Sequence, residues 1–152
     1  MPLCKQALEN LLTGKVRLNR RHKYIIKQVP SQGDRAYIDP SKVELKDLEA
    51  LTAATKDEFA LFAGSGEAII VHGGIRWNLP TSAWEEIQRK RLEWVGHSHP
   101  TTVDLRPSDE DRETLRKYFM WQEKSAIIDL TGKVKEFTGN LADAIDKLLG
   151  VK

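Results

Sequence analysis

Two histidines separated by one residue, His97 and His99, are followed twelve positions later by Asp111. Ahead of them, Leu92-Glu93-Trp94-Val95 is a short run ending at Gly96, which predicts a strand closing at an exposed edge. Side chains two apart on a strand point to one face, so the two imidazoles can converge on one ion. On a helix the same spacing would make them diverge. Pro100 then stops the strand, because it has no N–H for a ladder. Asp111 falls in the first turn of the helix that begins near Ser108. Two imidazoles and a carboxylate with one coordination position open make the ligand set of a catalytic zinc site. Each half has a plainer reading: a His-x-His pair is common on surfaces, and Ser108-Asp109-Glu110-Asp111 is an ordinary capped helix start. Their coincidence points to a bound divalent metal.

The spacing resembles the JAMM motif of the MPN/JAB metallopeptidases: a remote glutamate, then His-x-His-Pro, a short loop and Ser-x-x-Asp. Here the motif reads His97-Ser98-His99-Pro100, then Ser108-Asp109-Glu110-Asp111. The loop from Pro100 to Pro107 is one residue longer than the family's usual spacing, a small entropic cost in an exposed loop. The resemblance covers roughly residues 42–137. It implies an α/β fold, a curved mixed β-sheet flanked by helices. The MPN/JAB-like domain would span 41–152, preceded by an N-terminal extension over 1–40. It implies zinc held by His97, His99 and Asp111. Glu58, directly after a helix and opening a strand, would be the general base, with Glu67 on the next strand as rival. Ser108 would donate to the oxyanion of the tetrahedral intermediate. The implied activity is metal-assisted hydrolysis of a peptide or isopeptide bond. The substrate would be a peptide or a ubiquitin-like protein. Only 38 residues separate Glu58 from His97, which favours a compact, prokaryotic-type enzyme. The main alternative is a non-catalytic MPN-like interaction scaffold.

The remaining composition bounds these readings. At 152 residues with 40% hydrophobic content, the chain suits one domain with an appendage. No apolar run approaches the roughly 18 residues that span a bilayer, so no membrane role is expected. Met1-Pro2-Leu3-Cys4-Lys5 lacks the apolar core of a signal peptide, and a lone cysteine, Cys4, fits a reducing cytoplasm. A formal charge of +2 does not itself argue for nucleic acid. The segment 15–27 does carry six Lys/Arg. It is read first as the solvated face of a half-buried strand, then as a protein-docking surface within 1–40, with nucleic-acid binding a lesser alternative.

These are the elements that must position the site. A helix is expected over 4–13 and strand-formers over Tyr24–Lys27, to which Arg35–Ile38 could pair back as a hairpin. Ser41 is a candidate cap for a helix over 42–55. Glu58–Ala63 and Glu67–His72 read as strands joined by Gly64-Ser65-Gly66. A connection at 75–80 leads to a helix capped by Thr81 or Ser82 and running to about Arg91. A helix over Ser108–Tyr118 is expected, then a strand over Lys124–Asp129, a turn at Gly132 and a strand over Val134–Phe137. An amphipathic helix over 140–149 closes the chain. Trp84 and Trp94 read as core, and His22 and His72 as structural or surface residues.

Overall fold

The chain is described by a computed structural model over residues 18–73, 81–100 and 107–139. In order the elements are α1 (Arg20–Gln28), β1 (Arg35–Ile38), a 3-10 turn (Pro40–Lys42), α2 (Leu45–Thr55), β2 (Phe59–Gly64) and β3 (Glu67–His72). Then come α3 (Thr81–Lys90), β4 (Glu93–Ser98), α4 (Asp109–Tyr118), β5 (Lys124–Ile128) and β6 (Val134–Thr138). The helices expected over 4–13 and 140–149, the 75–80 connection and most of the loop between Pro100 and Pro107 lie outside the described residues.

The fold is α/β. A six-stranded mixed sheet has the order β1-β3-β2-β4-β5-β6. Its neighbours are antiparallel except β4 and β5, which are parallel and joined through α4. Ile25, Ile26 and Val29 from α1 and its cap, with Leu48 and Leu51 from α2, pack with Phe59, Leu61 and Ile70 on one face of the sheet. Ile87 of α3, with Leu115 of α4 and Phe119 just after it, packs with Ala60, Phe62 and Trp94 on the other. Strands β2, β3, β4 and β5 thus feed both cores through their period-two alternation, while β1 feeds the first and β6 the second.

The strand expected over Tyr24–Lys27 is instead part of α1. His22, Ile25, Ile26 and Val29 recur at i, i+3, i+4 and i+7, the spacing of one helical face. Asn19 caps the helix by accepting the His22 N–H at 2.8 Å. Arg35–Ile38 consequently has no strand there to pair with, and joins the sheet edge beside β3. Ser41 does not cap α2, because it lies in the 3-10 turn. The cap position is Glu44, whose N–H donates to Asp47 Oδ2 at 2.8 Å. Asp47 also accepts from Arg21 Nη2 at 2.8 Å, which ties α1 to α2 and engages one of the basic residues internally. Thr81 and Ser82 are both already helical, so neither caps α3. Ser65 and Gly66 both take positive φ, which matches a two-residue hairpin loop between β2 and β3.

Strand β4 runs past Gly96 through Ser98, further than its apolar run suggested. Leu61 pairs with Gly96 but Phe62 with Trp94, so Val95 is an extra residue, a bulge. Without it, Trp94 and His97 would point to opposite faces. With it, both point to the face covered by α3 and α4. Gly96 has no room for a side chain: a Cβ would stand 2.6 Å from Leu45 Cδ1 and 2.7 Å from the Ala126 carbonyl oxygen. One of those atoms is backbone and cannot swing aside. Gly96→Ala is therefore expected to cost about 1–3 kcal/mol, as overpacking does. Urea unfolding would check this, and a midpoint equal to wild type would refute it.

Candidate metal centre

His97 ends the ladder of β2 with β4, and His99 follows just past the end of β4. The His99 N–H donates to the Ile128 carbonyl at 3.0 Å, so the extended backbone continues and keeps both imidazoles on one face. This is the carboxyl end of a parallel strand where its crossover leaves, the usual place for sites in α/β sheets. The crossover helix α4 brings Asp111 back to the same point.

Ser108 caps α4. Its Oγ accepts from the Asp111 N–H at 3.0 Å, while Asp111 Oδ2 accepts from the Ser108 N–H at 2.9 Å. This reciprocal box fixes the Asp111 carboxylate in the first turn. Arg112, which is buried, donates from Nη1 to the Thr138 carbonyl at 3.0 Å and pins that turn to β6. Its burial could not be read from its sequence position, since it follows three consecutive acids.

The geometry suits a metal ion. His97 Nε2 lies 3.0 Å from His99 Nε2 and 3.2 Å from Asp111 Oδ1, and His99 Nε2 lies 3.5 Å from Asp111 Oδ2. Donor atoms at tetrahedral corners about 2.0–2.1 Å from a zinc ion stand roughly 3.3 Å from one another. The two imidazoles come that close to each other and each to one oxygen of the carboxylate, so the group could hold a metal ion. Two imidazole nitrogens and two carboxylate oxygens meeting this closely need a hydrogen or a cation among them, on a ring nitrogen or at the centre.

His97 is buried. Its ring stacks on Trp94 at 5.0 Å and 22°, and meets the edge of Phe137 at 6.1 Å. Its second nitrogen, Nδ1, is buried with no hydrogen-bond partner among the described residues. Among the described residues, aromatic packing is what orients this ring. Burial pushes the Asp111 carboxyl up. The hydrogen bonds from His97 and His99 and the Ser108 N–H outweigh burial and hold it well below the usual carboxylate range.

Glu58 directly precedes β2. Ala60 pairs with His97, so continuing the antiparallel register sets Glu58 opposite His99, on the same face as the imidazoles. Burial raises its carboxyl above the usual range. The charges of His97 and His99 oppose that rise, and those of Asp111 and Glu110 reinforce it. In metal-free protein Glu58 is thus expected to titrate above an ordinary glutamate, and loading a divalent cation beside it should move the midpoint down. Carbon-13 NMR of the side-chain carboxyl reads both; a midpoint unmoved by metal would separate Glu58 from the cluster. Glu67 is elsewhere. It pairs with Gly64 at the opposite end of the hairpin and binds Lys90 Nζ at 2.7 Å.

The other expected residues are placed as follows. Ser108 is exposed, and its cap uses a lone pair, not the hydroxyl hydrogen. Trp94 is fully buried, and Trp84 is half-buried against Tyr118. His72 is buried, 2.7 Å from the Val29 carbonyl through Nδ1 and 2.8 Å from Asp57 Oδ2 through Nε2. His22 meets Asp47 through Nε2 at 2.9 Å. Both are engaged in contacts within the fold, away from His97, His99 and Asp111. No described helix is long and apolar enough to cross a membrane. No family model, curated protein or solved structure matches the chain.

Proposed function

We propose that the chain is a zinc-dependent hydrolase of the JAMM type that cleaves peptide or isopeptide bonds, with an MPN/JAB-like core. One observation carries the reading. The His97, His99 and Asp111 donor atoms converge within 3.0–3.5 Å, and Glu58 lies across the strand on the same face. Imidazole and carboxylate together suit zinc. When bound, zinc supplies Lewis acidity, which brings the ionisation of water from about 15.7 toward about 7.

The chain's own groups perform the proton work. Glu58 takes a proton from the attacking water as its oxygen bonds to the scissile carbonyl carbon. The raised proton affinity that burial gives this carboxyl suits it to the task. As the C–N bond breaks, Glu58 returns the proton to the leaving amine. The Ser108 hydroxyl hydrogen, left over by the cap, donates to the carbonyl oxygen while that oxygen carries negative charge. Substrate is a peptide or the tail of a ubiquitin-like protein.

Elemental analysis of the purified chain, paired with a peptide-library cleavage assay with and without chelator, tests the reading. About one zinc per chain and chelator-sensitive cleavage are expected. Metal without cleavage of any peptide or isopeptide would leave an interaction scaffold instead.

A further inference from the structure

Between the two metal-facing histidines, Ser98 points to the opposite face of the sheet and is fully buried. The described ladder of β2 with β4 stops at Ala60 and His97. At the next rung β4 pairs on its other side, with Ser98 opposite Ile128 of β5. The Phe59 N–H instead donates to the Ser98 Oγ at 2.9 Å. A side-chain oxygen therefore takes the place of a ladder carbonyl. Behind it lies Thr52 of α2, also fully buried, whose Oγ1 is hydrogen-bonded to the Ser98 Oγ. Ser98 Oγ has a second acceptor in reach, the Phe59 carbonyl at 3.3 Å. One hydroxyl proton cannot serve both: either Ser98 donates to Thr52, or Thr52 donates to Ser98 while Ser98 donates to the Phe59 carbonyl. In each case the Thr52 contact holds the Ser98 oxygen where a lone pair meets the Phe59 N–H.

Phe59 is the residue after Glu58. The Glu58 carbonyl accepts from the Gly73 N–H at 2.6 Å, which ties that peptide to the end of β3. On the side toward β4, the tie through the neighbouring Phe59 is this hydroxyl. Where the ladder gives way to it, Glu58 and His99 face each other across the two strands.

We propose that Ser98, held by Thr52, is a positioning residue of the hydrolytic site, setting Glu58 at its working distance from the metal-binding side chains through the Phe59 backbone. The proposal rests on the hydrolase reading for its catalytic consequence but not for its metal readout. Ser98→Ala removes the oxygen and leaves a buried N–H without a partner. The metal ligands themselves stay in place, anchored by β5 and by the α4 cap. A carboxylate outside the ligand set still adds to metal affinity when it is well placed.

The test is a double-mutant cycle on the full chain, with zinc affinity read by competition against a chromophoric chelator. Ser98→Ala is expected to weaken zinc about tenfold in the chain that has Glu58. In the Glu58→Gln background it should change zinc affinity little, because its effect passes through that carboxylate. On a cleaved peptide, Ser98→Ala should lower kcat about 10²-fold with KM nearly unchanged. Thr52→Ser keeps the hydroxyl and should match wild type, while Thr52→Val should resemble Ser98→Ala. If Ser98→Ala fails to fold, Thr52→Val carries the same cycle. Equal weakening of zinc in both backgrounds, or Thr52→Ser as damaging as Thr52→Val, would overturn the proposal and reduce the pair to structure. Coupling in zinc affinity with no peptide cleaved would overturn the hydrolase reading and leave the positioning of Glu58 standing. Cleavage undiminished in Ser98→Ala would do the reverse.

Discussion

Glu58→Gln is expected to lower peptide hydrolysis by about 10²–10⁴, the contribution of a positioned general base, while about one zinc per chain remains bound. Glutamine has nearly the same shape as glutamate and can still accept a hydrogen bond, but it cannot take up a proton at neutral pH. The backbone that holds residue 58 does not depend on its side chain: Gly73 donates to the carbonyl at 2.6 Å and Ser98 holds the next N–H at 2.9 Å. The variant should therefore fold and keep the geometry around His97, His99 and Asp111. Removing the charge of a half-buried carboxylate should leave it at least as stable as wild type. The measurement is cleavage rate beside zinc content on the same preparation. Cleavage within tenfold of wild type would remove Glu58 from the chemistry. Glu67→Gln, at the far end of the hairpin beside Lys90, is the control and should leave the rate unchanged.

Chelation of the metal should lower the melting temperature by roughly 10 °C. A ligand that binds only the folded chain, at about a thousand times its dissociation constant, stabilises by about 4 kcal/mol. At this chain length each kcal/mol moves the midpoint by about 2–4 °C. Asp111→Asn separates this effect from helix capping. The amide oxygen can still accept the Ser108 N–H, so α4 keeps its first turn. The negative charge facing His97 and His99 is gone, and the site loses an anionic ligand. This variant should melt near the chelated wild-type value and show no further response to chelator. Zinc stabilisation should also fade as pH falls, because protons compete for the same ring nitrogens. A wild-type midpoint indifferent to both chelator and added zinc would show that the triangle of donors is held by protons alone.

Much of this site was legible in the chain. His97-Ser98-His99-Pro100 declared a same-face pair at a strand end, and Ser108 with Asp111 declared a capped helix start. Both are local statements, fixed by strand alternation and by the reach of a serine over one helical turn. Gly64-Ser65-Gly66 declared its hairpin for a similar reason, since positive φ at adjacent residues suits few other connections. The misreading of 24–27 as a strand came from weighing Tyr24, Ile25 and Ile26 as strand-formers. The wider spacing of His22, Ile25, Ile26 and Val29, with Asn19 ahead of it, carried the helix. β propensity there yields to burial of that face against α2 and the sheet.

Other parts were not legible because no local window contains them. The bulge at Val95 decides that His97 shares a face with Trp94, and it exists only through the register of β4 against Leu61 and Phe62. Arg112 stands in a run of charges that reads as solvent-exposed, and only the approach of Thr138 makes it an anchor. Ser98 reads as the indifferent residue of a His-x-His motif. Its partners, Thr52 and Phe59, come from another helix and another strand. The sequence by itself determined which groups could bind a cation and which face of a strand or turn of a helix each occupies, because those depend on backbone periodicity over a few residues. Only the tertiary structure decided that they meet at 3.0–3.5 Å with Glu58 across the strand, because sheet order and crossover are set by two hydrophobic cores whose members lie far apart in the chain.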